Sequence, residues 1–265
     1  MSISSELLVL NSTKQNIKTS INLKGVTVTD EAFSAYPDKV RLIPNGGGIY
    51  ESNIILYVEA KQENVVIPDG TETIGDYAFY CLYPRAVMLN LKTVSMPNTV
   101  TAIGNYAFIF NRSLSAISMS TALASIGVEA FGHCHSLQSV TLPSSMRTIG
   151  NGAFEYCDSL SSVTFSEGLT SIGSGAFMEC TSLTSVTLPS TVSSIGSSAF
   201  SARQSSMNEV ICLATVPPTL SNPDAFYLTN NCPIYVPDES VLAYQVADGW
   251  STHSSRIKGI SEKPQ

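Results

Sequence analysis

The chain has 265 residues, 43% of them hydrophobic and only 13% charged, with a formal net charge of -7 and a pI near 4.9. That balance excludes a disordered chain, which needs low hydrophobicity and high charge. An acidic chain without a basic patch has no electrostatic hold on a phosphate backbone, so no nucleic-acid partner is expected.

No apolar run reaches the roughly 18 residues that a spanning helix needs, so no membrane insertion is expected. Residues 1–25 lack a basic segment followed by a long apolar run and a small-residue cleavage site, so no secretory signal peptide is expected either. Localisation stays open between a virion and an extracellular or cell-surface setting.

Residues 4–24 are expected to form a helix, because Leu7, Leu10, Ile17 and Ile21 recur at three- and four-residue spacing with Lys14 in the remaining slot. The stripe either packs on its own module or forms a short coiled-coil seam that would make a homo-oligomer. Gly25-Val26-Thr27-Val28 follows, and Phe33, Tyr36, Val40 and Ile43 mark a second helix-like segment. Pro44-Asn45-Gly46-Gly47-Gly48 reads as a linker. The phrase I-K-x-x-I-x-x-K-G-V-x-V…F-x-x-Y-x-x-K-V-x-x-I, from Ile17 to Ile43, resembles modules near the N-termini of phage tail and virion proteins of gut bacteria. Residues 1–48 are thus read as a small helical module with its linker.

A repeat then dominates. The motif I-G-x-x-A-F occurs six times, with phenylalanines at Phe79, Phe108, Phe131, Phe154, Phe177 and Phe200. The spacing is 23 residues except for the first gap, which is six residues longer through an insertion within residues 82–90. The clearest copy runs Leu137-Gln138-Ser139-Val140-Thr141-Leu142-Pro143, then Ile149-Gly150-Asn151-Gly152-Ala153-Phe154 and Cys157. In L-x-x-V-x-L the apolar residues point inward and Ser139 and Thr141 outward, which makes a short strand that proline ends, since proline donates no ladder hydrogen bond. A shorter extended run leads to Ile149, Gly150 is expected to supply a turn, and A-F-x-x-C to close the coil as a helical or 3-10 turn. Ala153 lets coils approach and the phenylalanines stack. Val65-Val66-Ile67-Pro68 is expected to start the array and Ile234-Tyr235-Val236-Pro237 to be its last strand.

This 23-residue pattern, L-x-x-V-T-L-P…I-G-x-x-A-F-x-x-C, resembles the BspA-like leucine-rich repeats of bacterial surface proteins over about residues 65–237. The tail, with Cys232-Pro233-Ile234-Tyr235-Val236-Pro237, Tyr244, Trp250 and Arg256-Ile257, resembles the C-terminal cap common in that family. The expected fold is a mainly β leucine-rich-repeat solenoid with short helical or 3-10 turns over residues 49–237, preceded by the helical module and followed by a cap over residues 238–265. Asp238 is expected to cap a helix from Glu239 to about Ala247, and Trp250 to cover the open face of the last coil. The resemblance implies a non-enzymatic protein that adheres to a protein or surface glycan, in a bacterial-surface or phage setting, or a structural spacer. It does not fix a ligand.

The residues that could carry chemistry are few. Cys134, Cys157 and Cys180 share one repeat position with Asn111, so the column reads as structural, with side chains bonded to the turn backbone; parallel side chains in a ladder make no tetrahedral metal site. Cys81 is a shifted version of that position, and Cys212 and Cys232 could pair. His133 and His135 flank Cys134 and are expected on the solenoid wall; Glu129, Glu155, Asp158, Glu167 and Glu179 are expected to be scattered and solvated. No catalytic set, cofactor motif or metal site is expected. The candidate binding surface is the outward face of the strands, Ser139, Thr141, Ser162, Thr164, Ser185 and Thr187, together with Tyr83, Arg85 and Met88 of the insertion.

Overall fold

The structure is a computed structural model. It describes residues 63–80, 91–229 and 231–264, and the backbone of strands Val40–Leu42, Gly48–Glu51 and Ile54–Val58. The chain divides into two units, Met1–Arg41 and Leu42–Gln265. The expected helix over residues 4–24 and the insertion at residues 82–90, with Tyr83, Arg85 and Met88, lie outside the described residues.

The second unit is built from coils of three sides. One side is a three- or four-residue front strand such as Ser139–Thr141, the second a two-residue back strand such as Thr148–Ile149, and the third a multiple turn over residues 150–157. The front strand alternates exposed and buried residues, so Val140 enters the core while Ser139 and Thr141 face out. The back strands pair in parallel from Thr73–Ile74 through Ala102–Ile103, Ser125–Ile126, Thr148–Ile149, Ser171–Ile172 and Ser194–Ile195 to Thr219–Leu220. Strand Ile54–Val58 continues this sheet in parallel beyond Thr73–Ile74, and Gly48–Glu51 pairs with it antiparallel. The sheet therefore begins before the Val65 strand at which the sequence pattern starts, and Gly48, read as linker, lies in a strand.

The front strands form three ladders rather than one. They join Asn64–Val66, Thr93–Ser95 and Ala116–Ser118; then Ser139–Thr141 and Ser162–Thr164; then Ser185–Leu188, Glu209–Cys212, Ile234–Val236 and Ile257–Gly259. The inward residues Ile117 and Val163 are only partly buried, whereas Val140 and Val186 are fully buried. Ile234–Val236 is not the last front strand, because Ile257–Gly259 pairs beyond it in parallel.

The third side is where the sequence reading needed correction. The A-F-x-x-C segment is neither α nor 3-10 helix but a run of i to i+3 turns: the Ala153, Glu155 and Cys157 N–H groups donate to Gly150, Gly152 and Phe154 carbonyls. The N–H groups between them leave the coil. Gly152, Phe154 and Tyr156 donate to Ser174, Ala176 and Met178 of the next coil at 2.8, 2.8 and 2.9 Å. The same three-bond pattern runs from Tyr106, Phe108 and Phe110, from Glu129, Phe131 and His133, and from Gly175, Phe177 and Glu179. Alternating the N–H direction requires left-handed residues. The fourth motif position supplies one (Tyr77, Tyr106, Glu129, Gly152, Gly175, Ser198; φ between 46° and 62°), and the second residue after the phenylalanine another (Phe110, His133, Tyr156, Glu179; φ between 55° and 63°).

The motif glycine has a different reason from the turn assigned to it. Gly150 is not among the residues of positive φ; a Cβ there would lie 2.5 Å from the Gly127 carbonyl carbon and 2.8 Å from the Val128 nitrogen. Gly127, Gly173 and Gly196 meet the preceding coil's backbone in the same way. The position is a close approach of two backbones, which only glycine allows.

Inside, Phe79, Phe108, Phe131, Phe154, Phe177 and Phe200 stack with ring centres 4.5–5.3 Å apart. Phe226 extends the stack at 5.6 Å, from a 3-10 segment Pro223–Phe226 that keeps the A-F pair but lacks I-G. Trp250 then packs tilted on Phe226, stands edge-on to Tyr244, and donates Nε1–H to the Pro218 carbonyl at 2.7 Å. Buried Arg256 ties this end together, donating to the carbonyls of Phe226 and Cys232 and to Thr229 Oγ1. Asp238 does not cap the α-helix Val241–Val246; its carboxylate accepts the Ser261 N–H, and Pro237 precedes a 3-10 turn at Asp238–Ser240.

Two glycines separate close approach from backbone conformation. Gly150→Ala is expected to destabilise by about 1–3 kcal/mol or more through backbone overlap. Gly175→Ala, at φ 62° and with only Met178 Cβ at 3.7 Å, is expected to cost about 1–2 kcal/mol from the left-handed conformation alone. Gly175→Asn should cost less, since asparagine tolerates that region. Urea unfolding of the three variants checks the order; equal losses for Gly150→Ala and Gly175→Asn would refute it.

Candidate interaction surfaces

Among the described residues, three columns of side chains, one inside and two outside, gather most of those with a chemical option. The inner column is Asn111, Cys134, Cys157 and Cys180, all buried. Each thiol donates to the carbonyl of the preceding coil's phenylalanine: Cys134 to Phe108, Cys157 to Phe131 and Cys180 to Phe154, at 3.2–3.3 Å. Asn111 Nδ2 does the same to Phe79 and also bonds Phe108 O, while its Oδ1 is buried with no partner among the described residues. Asparagine and cysteine interchange because the column asks for one short donor aimed at one carbonyl. Burial pushes all three thiols well above the ordinary range.

Cys212 and Cys232 do not pair. Val210 lies opposite Ile234 in the ladder, which sets Cys212 opposite Val236 and leaves Cys232 four residues away along the strand. At about 3.3 Å per residue that is roughly 13 Å, beyond the roughly 7 Å limit between bridged Cα atoms. Both are free, and Cys212 Sγ contacts the Tyr244 hydroxyl at 3.2 Å instead.

The first outer column is the front face. Ser139, Thr141, Ser162, Thr164, Ser185 and Thr187 are all exposed. Ser139 stands opposite Ser162 and Thr141 opposite Thr164. Beyond Ser185 and Thr187 the column continues into Glu209 and Ile211, and Glu209 is neutralised by Lys263 at 2.8 Å. On the other flank Ala116 and Thr93 lead to the Lys92–Glu63 pair at 2.9 Å. The result is an uncharged hydroxyl-bearing strip bordered by ion pairs.

The second outer column lies on the turns, and sequence reasoning missed it. The two left-handed positions carry Tyr77 and Tyr106, and Phe110, His133 and Tyr156. With Tyr80 they make one unbroken chain of ring contacts: Tyr106 on Tyr77 at 4.9 Å, Tyr77 on Tyr80 at 5.6 Å, Tyr80 on Phe110 at 6.3 Å, Phe110 on His133 at 4.8 Å, and His133 on Tyr156 at 4.7 Å. Tyr77 is exposed and the other rings half-buried. Burial first, then His135 and Arg112, holds His133 below its usual range, against the opposing pull of Asp158. His135 is paired with Asp158 at 2.7 Å.

The carboxylates on this edge are not scattered, as the sequence suggested. Glu155 is raised by burial, then by Glu129 and Glu179 on the neighbouring coils, because the repeat sets turn residues of successive coils side by side. Glu167 is used structurally, accepting from the Ser190 N–H and hydroxyl. Among the described residues no three metal-ligating side chains converge, and no helix is long and apolar enough to cross a membrane.

The thiol column yields a direct test. Cys134, Cys157 and Cys180 should resist a disulfide-exchange reagent at pH 8 in the folded protein and react on unfolding. Because their pKa values are raised on folding, the stability they contribute is full below the ordinary thiol range and is lost as pH rises above it. Rapid labelling of the native state, or zinc bound at one per chain and lost in Cys157→Ser, would contradict the assignment.

The comparisons with known proteins agree with this architecture. A scan against family models matches the BspA type leucine-rich-repeat region in six copies, over residues 52–108 and 86–208. A search of curated protein sequences finds no match. Among solved structures the chain is similar to a leucine-rich-repeat protein of T. pallidum, at 28% identity and a TM-score of 0.55, over 83% of this chain and 94% of that one. It also resembles the pneumococcal vaccine antigen PcpA at 18% identity and a TM-score of 0.53, covering 76% of this chain and 65% of the antigen. A leucine-rich cell surface protein of Faecalibacterium prausnitzii aligns at 22% identity and a TM-score of 0.48, covering 76% and 69%. The repeat, its three-sided coil and the family match lead to one conclusion: the chain belongs to the BspA-type leucine-rich-repeat family.

Proposed function

We propose that this protein is a non-enzymatic recognition or adhesion protein that uses its solenoid as a rigid display surface for a protein or a surface glycan. The observation that carries the reading is the front face: six exposed hydroxyls in two columns, uncharged over three successive coils. Serine and threonine hydroxyls both donate and accept, so such a strip matches hydroxyl-rich or amide-rich partners without an electrostatic preference. Among the described residues no serine, threonine or cysteine is hydrogen-bonded to a histidine, and burial keeps the inner thiols protonated, which favours recognition over catalysis.

For the setting, the bacterial cell surface is the one the family resemblance favours. The phage-virion alternative, as a tail or head decoration, rests on the phrase between Ile17 and Ile43, of which only the backbone of Val40–Leu42 is described, as a strand rather than the helix-like segment expected there. Oligomerisation through residues 4–24 rests on residues outside the described ones. We read the chain as an N-terminal module, a solenoid that takes in the Gly48–Glu51 strand and runs to residue 237, and a cap from Asp238 onward that adds the Ile257–Gly259 front strand.

The test is binding to intact bacteria. Glutamate at Thr141, Thr164 and Thr187 adds three charges to the strip and should weaken binding by about tenfold or more. A chain lacking residues 82–90 should be weakened if Tyr83, Arg85 and Met88 contribute. If the parent binds and both folded variants bind equally well, recognition does not use this face. A parent that binds nothing would leave a structural spacer.

A further inference from the structure

The chain of rings on the turn edge is not required by the coil. In the same molecule the fourth motif position is filled by Gly152 and Gly175, residues that adopt positive φ without strain, while Tyr77 and Tyr106 hold φ of 58° and 57° there. Bulky side chains in the left-handed region are outliers, and such outliers concentrate at functional sites. Six rings in continuous contact, on the wall opposite neither strand face, therefore mark a surface with a use of its own.

The order of residues along each column says what would lie on it. The first column runs Tyr77, Tyr106, then Glu129; the second runs Phe110, His133, Tyr156, then Glu179. Each column of rings thus ends on a tyrosine, and the equivalent position one coil on is a glutamate. The Glu129 carboxylate is near enough to Tyr106 to raise its hydroxyl pKa, while Glu155 between the columns is crowded by Glu129 and Glu179. Among the described residues no lysine or arginine pairs with Glu129 or Glu155, whereas Glu179 is mostly buried, accepts the Arg203 backbone N–H and pairs with the largely exposed Arg203 guanidinium at 3.6 Å. Within each column the ring faces are covered by the neighbouring ring, so the terminal tyrosines are where a planar cation can stack and reach a carboxylate at once.

We propose that the turn edge at Tyr106–Glu129 and Tyr156–Glu179 is a second interaction surface, for a polypeptide segment carrying arginine side chains. One guanidinium stacks on Tyr106 and pairs with Glu129; a second stacks on Tyr156 and takes the place of the Arg203 guanidinium at Glu179. The inference rests on the recognition role proposed above but uses a different wall, so either can fail alone.

The experiment measures binding of a fluorescein-labelled peptide of alternating arginine and leucine by fluorescence anisotropy, with the full chain at moderate salt. The double variant Tyr106→Asn/Tyr156→Asn leaves the net charge unchanged and places asparagine where the left-handed backbone tolerates it, so it should melt at or above the parent temperature. Its affinity should fall about tenfold. Glu129→Gln, which keeps the backbone and volume, should weaken binding about threefold or more. A citrulline peptide should bind the parent no better than the arginine peptide binds the double variant. A loss below threefold in the folded double variant would show general attraction to an acidic protein and overturn the proposal. So would the absence of saturable binding by the parent. Neither outcome bears on the front-face variants, whose binding is read on intact bacteria.

Discussion

Every coil of this solenoid must join its neighbour along three walls, and the turn wall imposes the narrowest requirement. A short helical turn would satisfy its own N–H groups and leave nothing to bind the next coil. Here every second N–H is turned outward by a left-handed residue, so Gly152, Phe154 and Tyr156 reach Ser174, Ala176 and Met178. That link brings the backbones so close that Gly127, Gly150, Gly173 and Gly196 can carry no side chain. It also sets the phenylalanines one above another with ring centres 5.0–5.2 Å apart, within the range of offset stacking. Core stack, motif glycine and thiol-to-carbonyl column are consequences of one backbone arrangement, which is why they recur with one period.

Much of this was legible because the repeat makes equivalent residues neighbours. Alternation in Ser139-Val140-Thr141 gave the front strand, and the shared register of Asn111 with the cysteines gave a buried donor column. What was not legible is what depends on φ and on contacts between coils. Gly150 looks like a turn glycine in one coil and is a contact glycine only when two coils are superposed. Phe226 escaped because three extra residues break the period before it, although Asp224-Ala225-Phe226 keeps the A-F pair. The Ile257–Gly259 strand is three residues long and lacks the repeat's L-x-x-V-x-L spacing.

The aromatic chain shows the same limit from the functional side. Tyr106, Phe110, His133 and Tyr156 sit at variable positions of the motif, so no consensus picks them out. Only the left-handed conformation and the ring contacts join them. By contrast the Ser/Thr columns are visible at once, because outward strand residues keep the 23-residue period. A rigid frame thus offers two chemically different walls: a neutral hydroxyl strip on the strands and an aromatic edge with carboxylates on the turns.

Amide hydrogen exchange of the native protein tests most directly whether the turn wall is part of the cooperative structure rather than a tolerated loop. The outward-donating amides of Phe108, Phe131, Phe154 and Phe177, with those of Gly152 and Tyr156, should exchange only through global unfolding, as slowly as the slowest front-strand amides. If these turn amides exchange at the rate of exposed loop groups such as Ser144 while the strands stay protected, the coils are held by their strands alone and the turn wall is not part of the cooperative structure.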